Sequence, residues 1–179
     1  TIASPQVFSL SLSPTHPLCN NDCNGSIQTT VSGAQGTVAY AWSPAGTGQN
    51  PSGLCAATYT LNATDANGCQ AQGLVTLNNP PALLANVTTT NSTCSGVCTG
   101  IAMTNPVNAQ GIVSYTWLPS GPNAPTNSSL CAGTYSLSIE DGNGCTFSQT
   151  FAIAEPSPLS LNVSAAPATC GVAIDVPSL

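Results

Sequence analysis

Ala57-Thr-Tyr-Thr-Leu-Asn-Ala-Thr-Asp65-Ala-Asn-Gly-Cys69 returns 76 residues later as Gly133-Thr-Tyr-Ser-Leu-Ser-Ile-Glu-Asp141-Gly-Asn-Gly-Cys145. In the first copy Tyr59, Leu61 and Ala63 alternate with polar residues; in the second, Tyr135, Leu137 and Ile139 do so. A period of two is the mark of a strand with one buried face. The Asp-x-Asn-Gly that follows is turn chemistry, with Asn-Gly expected to supply the positive φ of a tight hairpin. One such stretch predicts a β-hairpin. Two at a fixed spacing predict an array.

The repeat extends outward from this core. Cys19, Cys23, Cys55 and Cys69 recur as Cys94, Cys98, Cys131 and Cys145, and Tyr40 and Trp42 recur as Tyr115 and Trp117. Cys170 opens a third copy, in which Ile174 stands where the second cysteine belongs. The expected units are residues 1–80 and 81–156, with 157–179 beginning a third. Further alternating runs predict strands at Phe8, Leu10 and Leu12 (matched by Leu83, Ala85 and Val87), near Ser26–Val31 and Ile101–Val107, through Val38–Trp42 and Val113–Trp117, and at Val75 and Leu77 (matched by Phe151 and Ile153). Ser43–Gly53 and Leu118–Ser128 are rich in Gly, Pro and Asn and read as loops. Asn79-Pro-Pro81 and Glu155-Pro-Ser-Pro158 read as short stiff linkers. The fold class is all-β: tandem small immunoglobulin-like antiparallel sandwiches, stapled by disulfides, with an extra C-terminal strand at Leu159, Leu161 and Val163. Tyr59 and Tyr135 stand where a tyrosine corner would, and Trp42 and Trp117 where a core tryptophan would.

Composition narrows the function. The chain has no Lys or Arg, six acids and a net charge of −6. Nothing can neutralise phosphates, so nucleic acid is excluded as a partner. No apolar run is long enough for a membrane span, and no membrane insertion is expected. Nine cysteines point to an oxidising compartment. Cys-x3-Cys with Cys-x13-Cys is not zinc-ribbon spacing, and His16 is the sole histidine. The chain opens in mature-looking sequence, from which a signal peptide is expected to have been removed.

No catalytic constellation can be assembled. His16 lies between prolines and is not repeated, which suits a solvated loop residue. No serine sits in a Gly-x-Ser-x-Gly elbow. Asp65 and Asp141 supply one acid per turn, far short of a calcium cage, and read as turn caps. No cofactor or metal is expected. Asn24, Asn62, Asn86, Asn91, Asn127 and Asn162 begin glycosylation triplets, about as many as chance gives in a chain this rich in Ser and Thr. Tyr40, Trp42, Tyr115 and Trp117 would make an aromatic glycan platform if exposed, but their shared face favours core packing.

The motifs Cys-x3-Cys-x-Gly (Cys19–Gly25, Cys94–Gly100), Tyr-x-Trp, and Leu-Cys-Ala…Thr-Tyr followed by Asp-x-Asn-Gly-Cys together resemble the SprB-repeat family of Bacteroidota surface proteins, covering nearly all of both repeats. Ala57 replaces the usual glycine before Thr58. The resemblance implies secretion, a tandem immunoglobulin-like array and display or adhesion at the bacterial cell surface, with no catalysis.

Strand direction constrains the cystines. It brings Cys23 near Cys55 and Cys98 near Cys131. Cys55 and Cys69 are separated by a strand of roughly 23 Å and cannot bond directly. Cys19 is left with Cys69 of its own unit or Cys145 of the next. The in-unit pair needs no partner and is the expectation, with Cys94 behaving as Cys19 does. Cys170 is free, bonded to another chain, or bonded to residues outside this sequence. With Leu159, Leu161 and Val163 it forms the candidate intersubunit element. A lone amphipathic strand leaves a ladder unpaired, and a head-to-tail contact through it does not close. Copies of the chain itself are therefore the first expected partner and surface glycans the second. The reading is a non-enzymatic extracellular fibre or adhesin segment; the alternative is a glycan- or surface-binding module of a larger secreted protein.

Overall fold

The computed structural model describes residues 6–44 and 46–165. Twelve strands fall into two matching sets: β1 Ser9–Thr15, β2 Gly25–Ser32, β3 Ala39–Ser43, β4 Ser52–Leu54, β5 Ala57–Thr64 and β6 Gln70–Leu77, then β7 Leu84–Thr90, β8 Gly100–Val107, β9 Ser114–Leu118, β10 Thr126–Leu130, β11 Gly133–Glu140 and β12 Thr146–Ile153. Each set makes two three-stranded antiparallel sheets, ordered β1-β2-β4 and β3-β5-β6 in the first unit, and β7-β8-β10 and β9-β11-β12 in the second. In immunoglobulin lettering these are A-B-E and C-F-G without strand D. Both units are immunoglobulin-like sandwiches.

The core follows from the alternation. Ile27 of β2 and Leu54 of β4 meet Trp42 of β3, Tyr59, Leu61 and Ala63 of β5 and Leu77 of β6. Ala102, Trp117, Leu130, Leu137, Ile139 and Ile153 repeat the arrangement. The tyrosine corner is present twice: the Tyr59 hydroxyl donates to the Cys55 carbonyl at 2.9 Å, and that of Tyr135 to the Cys131 carbonyl at 3.1 Å. The buried indoles also carry a polar task. Trp42 Nε1 donates to the Gly48 carbonyl and Trp117 Nε1 to that of Ala124, which ties the long loop down onto the core. With both tryptophans buried, the four aromatics do not form an exposed platform.

The glycine of the Cys-x3-Cys-x-Gly motif has a packing reason. A Cβ on Gly25 would lie 2.5 Å from Leu77 Cδ2 and 2.9 Å from the Leu54 carbonyl oxygen; one on Gly100 would lie 2.6 Å from Ile153 Cγ2 and 2.8 Å from the Leu130 carbonyl oxygen. Only glycine lets the start of strand B pass between strand E and the end of strand G.

The hairpin turn takes its positive φ from the glycine of each Asn-Gly, Gly68 (82°) and Gly144 (81°), as its turn chemistry implies. Two expectations need correction. The stretches Ser43–Gly53 and Leu118–Ser128 are not wholly loop, since β4 and β10 begin within them and pair with β2 and β8. The segment Leu159–Val163 belongs to no strand, and Leu159, Leu161 and Val163 are 100%, 83% and 79% exposed. A strand exists only as part of a ladder, and among the described residues no sheet edge pairs with this one.

Candidate functional site at the joint between the two units

The head of each unit is built from the turn between its last two strands, and the second unit's turn forms one side of the joint. Asp65 Oδ1 accepts from the amides of Asn67 (3.0 Å) and Cys69 (2.9 Å), while Oδ2 accepts from the Gln35 amide at 3.0 Å. Asp141 does the same with Asn143 and Cys145 (both 3.0 Å) and Gln110 (2.9 Å). Each carboxylate thus closes its own turn and clamps it to the loop between the second and third strands. The Gln35 amide, with those of Cys69 and Asn67, holds the Asp65 carboxyl below the usual carboxylate range. Burial works to raise Asp141, but the amides of Gln110, Cys145 and Asn143 outweigh it and the net direction is again down. With all four oxygens committed to backbone amides, these residues are caps, and the clamp fixes where Cys69 and Cys145 point. The reach to Gln35 and Gln110, about thirty residues away in sequence, carries no signature that sequence reasoning could use.

The opposite end of each unit carries the loop after the first strand. The Asp22 amide donates to the Cys19 carbonyl, and the Val97 amide to that of Cys94. Asn79 Oδ1 accepts from the Asn21 amide, as Glu155 Oε2 accepts from that of Gly96. His16 Nδ1 accepts from the Asn78 amide at 3.0 Å, and Asn91 Oδ1 accepts from the Ala154 amide at the same distance. His16 is exposed, yet it holds the start of the linker. Its second-unit counterpart is an asparagine, which hid the shared role.

Two disulfides each close the tail end of one unit, and a third joins a tail to a head. Cys23 bonds Cys55 and Cys98 bonds Cys131, each stapling the strand A–B loop to the start of strand F within one unit. Cys19 bonds Cys145 of the next unit, across 126 residues of sequence, with Cα atoms 5.4 Å apart. The expected Cys19–Cys69 pair is therefore wrong. Those two cysteines sit at opposite ends of one sandwich, whereas the tail of the first unit faces the head of the second. Cys69 and Cys94 were also expected in cystines, and among the described residues both are instead exposed and unbonded. Cys170 lies outside the described residues. Leu18, Pro80 and Leu83 face Asp141, Asn143 and Cys145 around a small cleft at the joint. The linker is tied to the second unit where Asn108 Nδ2 donates to the Ala82 carbonyl at 2.8 Å.

Of the glycosylation triplets, Asn127 is buried and its amide donates to the Ser120 carbonyl, so it is committed to the fold. Asn24 and Asn91 serve as loop anchors.

No family model matches the chain. No curated protein matches it. Among solved structures it is similar to the three N-terminal domains of the highly immunogenic outer capsid protein (Hoc) of bacteriophage RB49, with a TM-score of 0.47 and 12% identity over 82% of this chain and 59% of that one. The chain spans less than two thirds of that structure's length.

Proposed function

We propose that this chain is a structural segment of an extracellular bacterial surface fibre or adhesin of the SprB-repeat type, and that it assembles end to end. The observation that carries the reading is the Cys19–Cys145 bond. Consecutive sandwiches are joined twice, once by the Pro80-Pro81 linker and once by a cystine. Two covalent links remove most of the relative motion that a single linker permits. Fixed spacing between units suits projection or polymerisation. Three cystines among the described residues fit an oxidising, extracellular environment. The exposed Leu159, Leu161 and Val163 repeat the strand-one pattern and suit pairing with a sheet edge of a neighbouring copy.

Negative-stain electron microscopy of native material, before and after reduction, tests this. Filaments with an axial repeat near two sandwich lengths are the expected outcome. Monodisperse short rods under every condition would remove the end-to-end reading and leave a spacer or a glycan-binding module.

A further inference from the structure

We infer that Cys94 of one copy of this chain forms a disulfide with Cys69 of a second copy, reproducing between chains the bond that Cys19 and Cys145 make within one. The inference rests on the end-to-end reading and gives it a covalent joint.

The repeat sets the rule. Cys19 and Cys94 occupy the same place in their units, as do Cys69 and Cys145. At the internal joint the tail cysteine of one unit bonds the head cysteine of the next. Applied once more among the described residues, the rule leaves two open positions: the tail of the second unit, Cys94, and the head of the first, Cys69. These are the two exposed, unbonded cysteines among the described residues.

Both half-joints already have the shape they have where the joint is closed. At the head, the Asp65 carboxylate holds the Cys69 amide at 2.9 Å, as Asp141 holds that of Cys145 at 3.0 Å. The Asp65 amide donates to the Cys69 carbonyl and the Asp141 amide to the Cys145 carbonyl, both at 3.0 Å. Gln35, Asp65 and Asn67 also match Gln110, Asp141 and Asn143 by residue type. At the tail, the anchors from Asn91 and Glu155 hold the linker as His16 and Asn79 do. Thr93, Pro156, Ser157 and Leu159, beside Cys94, then border an open cleft, where their equivalents Leu18, Pro80, Pro81 and Leu83 line the closed joint. The tail half therefore presents a preformed seat, and the head half a matching plug. A tail-to-head contact is heterologous, and repeating it extends a chain of copies.

The bond forms by thiol–disulfide exchange with a disulfide donor, either a small-molecule disulfide or an oxidoreductase cystine. The two protein thiols lose two electrons and two protons, and the donor disulfide is reduced to two thiols.

The test uses the 179-residue chain with Cys170→Ser, oxidised in a glutathione redox buffer as an equal mixture of 14N- and 15N-labelled protein. Because the chain has no Lys or Arg, it is cleaved with pepsin and the cystine peptides are read by mass spectrometry. The expected result is an oligomer ladder on a non-reducing gel and a Cys94–Cys69 peptide pair that mixes the two isotopes. C69S or C94S should each lower oligomer yield more than tenfold, and mixing those two variants should give dimer and nothing larger. Neither cysteine is bonded within the chain, so retention of the Cys19–Cys145 peptide checks that the variants fold. Symmetric Cys94–Cys94 or Cys69–Cys69 pairs, unmixed isotopes, or both thiols remaining free would overturn the inference. So would a Cys69–Cys170 bond in the unsubstituted chain, or a Cys94 bond to residues outside this sequence in native material. Filaments formed by the C69S/C94S double variant would sink the covalent joint and spare the end-to-end reading; loss of filaments from every form would sink both.

Discussion

The two sandwiches share a frame and fill it differently. In the first unit the bulk on the A–G side comes from strand A and the residue before it, where Leu10, Leu12 and Phe8 pack on the core. Strand G yields to them: a Cβ on Gly73 would sit 2.7 Å from Leu12 Cδ1. In the second unit the positions of Leu10 and Leu12 are Ala85 and Val87, and the bulk moves to strand G as Phe147 and Phe151. Phe151 stands where the first unit has Val75, stacks on Tyr135 at 5.8 Å and meets Trp117 edge-on at 5.9 Å. The polar devices do not vary in this way. The aspartate clamp, the tyrosine corner and the tied-down indole recur with the same partners or their equivalents. Apolar filling needs only the right volume, which either of two facing strands can supply. A directional hydrogen bond has no substitute nearby.

That contrast can be broken in four ways, the first three read unit by unit through hydrogen exchange on peptic peptides in denaturant. Leu61 and Leu137 lie at the shared centre and are both 0% exposed. Leu61→Ala and Leu137→Ala should each cost about 3 kcal/mol in their own unit; very unequal losses would mean that the frame is not shared. Phe151→Val should cost the second unit about 2 kcal/mol, and adding Ala85→Leu with Val87→Leu should recover at least half of it. No recovery would show that the bulk is not exchangeable between strands. Thr29 and Thr104 are equivalent, buried, and have hydroxyls with no hydrogen-bond partner. Thr29→Val and Thr104→Val keep the shape and remove that burden, so each should stabilise by about 1 kcal/mol; a loss in either unit would point to a partner for the hydroxyl.

The smallest effect is on pH. Asp65 and Asp141 have folded-state pKa values below the ordinary 3.8. Their contribution is complete above the unfolded value of about 4 and is lost as pH falls through the lowered folded values. Melting temperature should hold steady from neutral pH to near that point and then decline. Asp65→Asn with Asp141→Asn should flatten the decline, and an unchanged acid limb would show that other groups carry it.

Period-two alternation made strands B, C, F and G legible, because each runs long enough to show a face. Strand E did not show it. Ser52–Leu54 has three residues and one inward side chain, Leu54, and in Thr126–Leu130 a register shift puts the buried Asn127 and Leu130 three apart, which hides the period of two. The in-unit cystines followed from strand direction. The joint was legible only as one of two alternatives for Cys19, because strand direction within one unit does not decide between Cys69 and Cys145 of the next. The clue was present in the repeat, which puts an unpaired cysteine at each end of every unit. The aspartates were legible as caps and illegible as clamps, since Gln35 and Gln110 contribute only a backbone amide, which any residue carries. Leu159–Val163 reads as a strand by pattern and forms none here, because pattern specifies a face and says nothing of a partner.

The Cys19–Cys145 bond also decides where load travels. A chain drawn from its two ends carries force along the shortest covalent path, which enters at Cys19 and crosses directly to Cys145. The residues between them, which include strands B–G of the first sandwich and A–F of the second, lie off that path. Were the bond absent, 126 residues could pay out as roughly 400 Å or more of slack at ~3.3–3.6 Å each. With it intact, only strand A of the first sandwich and strand G of the second lie on the load-bearing line, and the ten strands between them are spared until that bond is reduced.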